Sequence, residues 1–200
     1  SPEEEAGLTL LGVLSDPVLS GQDLLVLDIG GGSTEAVLGG PGGVAKAISM
    51  PIGCLRLRHL TGDATSDADT EHLIAKATDL LASPLDSLAH DSLGDTTVGV
   101  GGTVASLAAI DLGLDAAHHH LIDGHTLSRK HICEIAHGLA ATPPSRRQGV
   151  RGLPRGREDT IVPGATILIA CMRILGKQNL RVSGRGLRYG LLAEAARVLR

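Results

Sequence analysis

A carboxylate, three consecutive glycines, two hydroxyls and a second carboxylate follow one another in LDIGGGSTE, residues 27–35. Asp28 stands near the end of an apolar run, and Gly30, Gly31 and Gly32 leave the backbone bare just beyond it. Amides with no side chain in the way can close on an anion, and phosphate is a natural guest of such a turn. Ser33 and Thr34 add hydroxyl donors. Asp28 offers the hard oxygen that suits magnesium, or a hold on a water beside the phosphate, and Glu35 is placed to orient either. The same residue types would also serve a plain glycine-rich hairpin whose buried aspartate caps the turn.

A second glycine turn lies in VGVGGTVASL, where Gly101, Gly102 and Thr103 follow an apolar segment and open a helical pattern. Free amides and the helix dipole draw anions to such a start. Two turns of this kind, each after a buried strand, fit a clamp on adjacent phosphates. A third, SGRGLRYG at residues 183–190, repeats the pattern. PPSRRQGVRGLPRGRED, residues 143–159, is a basic loop whose Arg146, Arg151, Arg155 and Arg157 could hold a polyanion, and Arg157 is the best placed of them. Charge runs in loops are otherwise simply solvated. Arg56 and Arg58, two apart on a helix, point different ways, so at most one would face a cleft. His118, His119 and His120 are consecutive, cannot converge on one metal, and read as a solvated loop.

These residues need elements to hold them. Residues 24–29 and 96–100 are short apolar runs of the kind that form buried central strands. Residues 34–38 and 44–50, around GGPGG, predict an antiparallel hairpin. Helical spacing covers residues 53–60, 67–82, 103–110, 128–141, 162–175 and 187–199, with a further strand at 180–182. At the start, Ser1 reads as a cap, Pro2 as a first helical residue and Glu4 as a capping-box partner for a helix continuing over residues 6–13. Strands alternating with glycine turns and helices define an α/β chain with no internal repeat.

Composition narrows the function. With 200 residues and 42% apolar content the chain is one compact unit. Its one aromatic side chain, Tyr189, and its net charge of −4 argue against stacking on single-stranded nucleic acid and against general DNA affinity. Cys54, Cys133 and Cys171 are widely spaced among apolar residues, as reduced thiols are in a cytoplasmic protein. No apolar run is long enough to span a membrane, and SPEEEAGL is acidic where a signal peptide would be basic.

EEEA at residues 3–6, LDIGGGSTEAVLG, PIGCLRL, VGVGGTVASLAAI, DTIVPGATIL and VSGRGLRYGLL together resemble the Ppx/GppA phosphatase family in order and spacing. The resemblance implies the actin-like ATPase and sugar kinase (ribonuclease H-like) fold, a mixed β-sheet flanked by helices, with two lobes closing over a phosphate cleft. It implies magnesium-dependent release of terminal phosphate from inorganic polyphosphate, or of the 5′ γ-phosphate from guanosine pentaphosphate. By position, Glu5 looks like the family's base for the attacking water and Glu35 like its second functional carboxylate. Asp28 with Gly30, Gly31, Gly32 and Ser33 matches the second-lobe phosphate loop, and Gly101, Gly102 and Thr103 match the nucleotide-side turn of the superfold.

Two departures accompany the match. The first lobe's phosphate loop, D-x-G-(S/T)-N-S, is absent from this sequence, so the expectation is a single domain over residues 1–200 equivalent to the second lobe, folded but nearly inactive without its companion. Tyr189 stands where the family's GLREG motif has glutamate. The alternatives are a module that binds polyphosphate or guanosine tetraphosphate without cleaving it, which intact Glu5 and Glu35 oppose, and a sugar or acetate kinase relative, which the EEA and GLRxG blocks oppose. A homodimer is expected only as the commonest soluble assembly.

Overall fold

A computed structural model describes residues 2–89 and 96–198. Its centre is β1 (Leu24–Ile29), where only Asp28 interrupts the apolar side chains. Successive residues of a strand face opposite ways. Leu25, Leu27 and Ile29 accordingly enter one core, and Leu24 and Val26 the other. Asp28 shares the face of Leu24 and Val26.

Around β1 the sheet is mixed. The strand pairs antiparallel with β2 (Thr34–Gly40), which continues into β3 (Gly43–Met50), and parallel with β4 (Thr96–Val100). β4 pairs parallel with β6 (Asn179–Val182), and β5 (Thr126–Ser128) closes the far side antiparallel to β6, giving the order β3-β2-β1-β4-β6-β5. On one face lie α1 (Pro2–Leu14) and, packed against it, α8 (Leu187–Val198). The other face carries α2 (Cys54–Thr61), α3 (Asp67–Ala89), α4 (Gly101–Asp111), α5 (Arg129–Ala140) and α7 (Ile161–Ile174). The expected mixed sheet with flanking helices is thus present. α7 is buried from Ile161 to Met172, the central helix of the larger core.

Several boundaries differ from the sequence-based expectation, each for a local reason. α3 runs through Pro84 instead of ending at residue 82, because Leu85 and Leu88 extend its buried stripe. The pattern over 128–141 divides: Ser128 ends β5, and its hydroxyl then caps α5 by accepting from the His131 amide at 3.1 Å. α4 starts at Gly101 rather than Thr103, so the glycine pair forms the first turn of the helix. The basic loop contains a short helix, α6 (Pro144–Arg147). His118 and His120 are exposed within a 3₁₀ turn (Ala116–Ile122), and no metal-competent cluster of His, Cys, Asp or Glu occurs among the described residues. The cap expected at Ser1 lies outside the described residues. No described helix is long and apolar enough to cross a membrane.

Candidate functional site

The carboxyl ends of β1 and β4 open onto a cleft of about 460 Å³ whose walls include Asp28, Gly30, Gly31, Gly102, Arg155 and Arg157. Ligands of open α/β sheets occupy this position, beyond the carboxyl ends of parallel strands.

One wall is the GGGS turn. Gly30 N–H donates to the Ser33 carbonyl at 3.0 Å, and the carbonyls of Gly30 and Gly31 accept from the amides of Cys54 and Leu55, both at 2.9 Å. α2 can approach this closely only because residue 53 is glycine: a β-carbon there would lie 2.5 Å from the Gly31 carbonyl oxygen. Backbone bonds therefore hold the turn and leave its approach bare. Thr34 corrects the expectation of a phosphate-contacting hydroxyl. Its side chain is fully buried and donates to the Ile52 carbonyl at 2.6 Å, tying the turn from inside. Gly32 and Ser33 do not line the cleft.

The second wall is the start of α4. Gly101 has φ +83°, a left-handed conformation, and a β-carbon on it would overlap the Asp28 carboxylate. No side chain caps this helix, so its first amides have no intrahelical partner and face the cleft mouth. Thr103 lines the cleft, but its buried hydroxyl donates to the Ile29 carbonyl at 3.2 Å and joins α4 to β1. What Thr103 offers a ligand is its amide. Gly164 lets α7 come up beneath this turn, since a β-carbon there would lie 2.6 Å from Thr103 Cγ2.

Over these amides hangs Arg157, whose guanidinium lies so close to Gly102 that a β-carbon there would overlap it. Arg155 lines the same cleft, whereas Arg146, Arg151 and Arg56 are exposed and do not. Arg58 is held by Asp63 at 2.6 Å and Asp159 at 3.5 Å. Cys54 also lines the cleft, and burial pushes its thiol pKa up, so it stays neutral.

The carboxylates approach from the α1 face. Asp28 and Glu35 are direct cross-strand partners of β1 and β2, which puts both on one side of the sheet. Glu35 accepts from Ser49 Oγ at 2.9 Å. Burial first, then the charges of Glu35 and Glu5, push Asp28 from its ordinary 3.8 to about 6. Exposed Glu5, in the first turn of α1, is thus close enough for its charge to act on Asp28. A half-buried carboxylate beside two others gains from a cation, and magnesium commonly takes only one or two protein carboxylates with waters and substrate phosphates. Asp28 with its cross-strand partner Glu35 meets that modest requirement, though it falls short of a three-ligand cluster, which is absent among the described residues.

The third glycine turn does something else. β-Carbons at Gly12 and Gly190 would overlap the carbonyls of Gly186 and Leu8, so these glycines let α1 and α8 touch backbone to backbone. Tyr189 is exposed, 5.7 Å beneath the Arg185 guanidinium, and does not line the cleft. Sequence reading also missed Arg147, a fully buried arginine in the basic loop. A separate groove of about 540 Å³ between α1 and the β2–β3 hairpin is lined by Leu10, Leu11, Leu14 and Val44, and by no charged side chain.

Fold and cleft together define a lobe of the actin-like ATPase class, with two glycine turns and Asp28 lining the cleft at the sheet end. Comparison with known proteins places it within that class. Residues 1–198 match the Ppx/GppA phosphatase family, and the chain belongs to it. It is 29% identical to exopolyphosphatase 2 of Mycobacterium tuberculosis over 96% of its own length and 62% of the relative's. It is 33% identical to a guanosine-5′-triphosphate,3′-diphosphate pyrophosphatase of Vibrio atlanticus, over 97% of its own length and 38% of the relative's. The crystal structure of the Aquifex aeolicus Ppx/GppA family member superposes with a TM-score of 0.86 at 27% identity, covering all of this chain and 64% of that one. The chain therefore spans between about a third and two thirds of the length of these relatives.

Proposed function

We propose that this chain is the second lobe of a hydrolase that removes the terminal phosphate from inorganic polyphosphate or the 5′ γ-phosphate from guanosine pentaphosphate. The observation that carries the reading is the meeting, at one sheet end, of two bare amide turns with Arg157 and Asp28, with Glu35 and Glu5 near enough for their charges to act on Asp28. Relatives named for each of these two substrates support it. A companion lobe would close the open side of the cleft, as the greater length of the relatives suggests.

Transfer from a phosphoanhydride needs donors around the equatorial oxygens, charge neutralisation and a positioned water, with little covalent help. The amides of the Gly30–Gly31 turn and of Gly101, Gly102 and Thr103 would hold the terminal phosphoryl group, with Arg157 pairing to a further oxygen. Asp28 and Glu35 would hold magnesium, which when bound neutralises charge on the phosphoryl oxygens. Glu5 accepts the proton of the attacking water as its oxygen bonds to phosphorus, and the bridging P–O bond breaks to release the shortened chain. Removing such a base slows a reaction by about 10²–10⁴-fold.

The test is magnesium-dependent phosphate release from polyphosphate and from guanosine pentaphosphate, by this chain alone and with a first lobe supplied in trans. Activity only with both lobes, lost in Glu5→Gln, is the expected result and ranks the two substrates. Silence while the lobes demonstrably associate would leave a binding module and overturn hydrolysis.

A further inference from the structure

Arg147 carries a charge, yet it is 1% exposed. Burying a guanidinium is costly: burial first, with the charge of Arg58, lowers its pKa, and Asp63 and Asp159 oppose that shift. Four hydrogen bonds offset the cost, every one to a backbone carbonyl. Nε donates to Leu139 and Thr142, both at 2.8 Å, Nη1 to Glu158 at 2.8 Å, and Nη2 to Ala64 at 3.2 Å. Those carbonyls belong to the end of α5, the second residue beyond it, the loop before α3, and the residue following Arg157. One planar fork thus joins three separate stretches of chain.

The Glu158 bond bears on the cleft. Residues 154–158 carry Arg155 and Arg157 toward the amides of α4, and little else fixes this stretch. Its other ties are Gly156 N–H to Glu158 Oε2 at 2.7 Å, Arg157 N–H to the Pro154 carbonyl at 3.3 Å, and the Arg157 carbonyl accepting from the amides of Thr160 and Ile161 at 3.1 and 3.0 Å and from Thr160 Oγ1 at 3.4 Å. The bonds from Thr160 and Ile161 set Arg157 relative to α7, and Arg147 sets the neighbouring peptide relative to α5 and the loop before α3. We infer that Arg147 is a positioning residue, fixing the 154–158 loop so that the Arg157 guanidinium stands over Gly102 and can meet a terminal phosphate. Lysine cannot replace it: an ammonium has three donors on one atom and cannot reach carbonyls spread around a plane.

This inference rests on the phosphate reading of the cleft, and one experiment separates the two. The amide signals of Gly102 and Thr103 are followed by NMR while sodium tripolyphosphate is added to the chain, to Arg147→Lys, to Arg157→Ala and to the double variant. Arg157→Ala should weaken binding about tenfold, the scale of a lost charge-assisted contact. Arg147→Lys should weaken it several-fold, and in the Arg157→Ala background it should change affinity by less than about twofold, because the two act through one contact. A merely structural arginine would lower affinity equally in both backgrounds; that result overturns the inference and leaves the phosphate reading standing. No response at Gly102 and Thr103 at millimolar tripolyphosphate overturns both. Should Arg147→Lys fail to fold, Glu158→Ala tests the same loop through its Gly156 tie. It should show the same dependence on Arg157, and additivity there counts against the inference just as directly.

Discussion

Replacing Asp28 by asparagine should make the metal-free protein more stable at neutral pH. The folded chain holds the Asp28 proton more tightly than the unfolded chain, with a pKa of about 6 against the ordinary 3.8. Its protonation therefore favours folding below about pH 4, and that contribution disappears as pH rises through about 6. At about 1.4 kcal/mol per pH unit, the ionised carboxylate leaves the fold roughly 3 kcal/mol less stable at neutral pH than a neutral group would, a ceiling because Asp28 keeps some solvent contact. Asparagine has nearly the same shape and no charge to repel Glu35 and Glu5. Thermal unfolding of both proteins from about pH 4 to 8 in chelator is the assay. The variant's advantage should be near zero at pH 4 and grow to as much as roughly 6–12 °C at neutral pH, at about 2–4 °C per kcal/mol for a chain of this size. Millimolar magnesium should narrow the gap by stabilising the wild type alone. A variant equally or less stable at every pH would refute the claim that these carboxylates strain one another in the empty site.

Two further substitutions probe the turns. Gly101→Ala meets both a positive φ and the Asp28 carboxylate, so it should cost at least about 1–3 kcal/mol in urea unfolding and abolish the magnesium response; retention of both would mean that the α4 start is not fixed as described. Thr34→Val leaves the Ile52 carbonyl without its buried donor and should cost about 1–3 kcal/mol, while tripolyphosphate affinity at Gly102 changes less than about twofold; a large loss of affinity with intact stability would return Thr34 to the cleft.

The central strands were legible because burial on both faces needs apolar runs, and residues 24–29 and 96–100 each form the strand expected. The glycine turns were legible as backbone that must be bare. What each glycine is bare for was not. Gly101 makes room for a carboxylate and Gly102 for a guanidinium, while Gly12 and Gly190 make room for another helix, and residue type is the same in all four. Thr34 illustrates the same limit, since a hydroxyl serves a ligand or a carbonyl equally well until tertiary packing decides. β5 escaped notice because three residues at a sheet edge carry no period. Arg147 lay hidden for a different reason: in SRRQGVRG it has the surroundings of a solvated charge, and its burial depends on carbonyls brought from α5, from the loop before α3 and from Glu158.

The backbone contact between α1 and α8 also orders events in time. Glu5 rides on a helix packed against α8, the last described helix, so the two must meet across a loop of nearly all the residues between them. Closing such a loop is entropically slow, and during synthesis α8 leaves the ribosome after all the other described elements. The amide turns at Gly30 and Gly101 can form on the nascent sheet well before that. A growing chain would thus form both glycine turns at the sheet end before the helix that carries Glu5 is seated beside them.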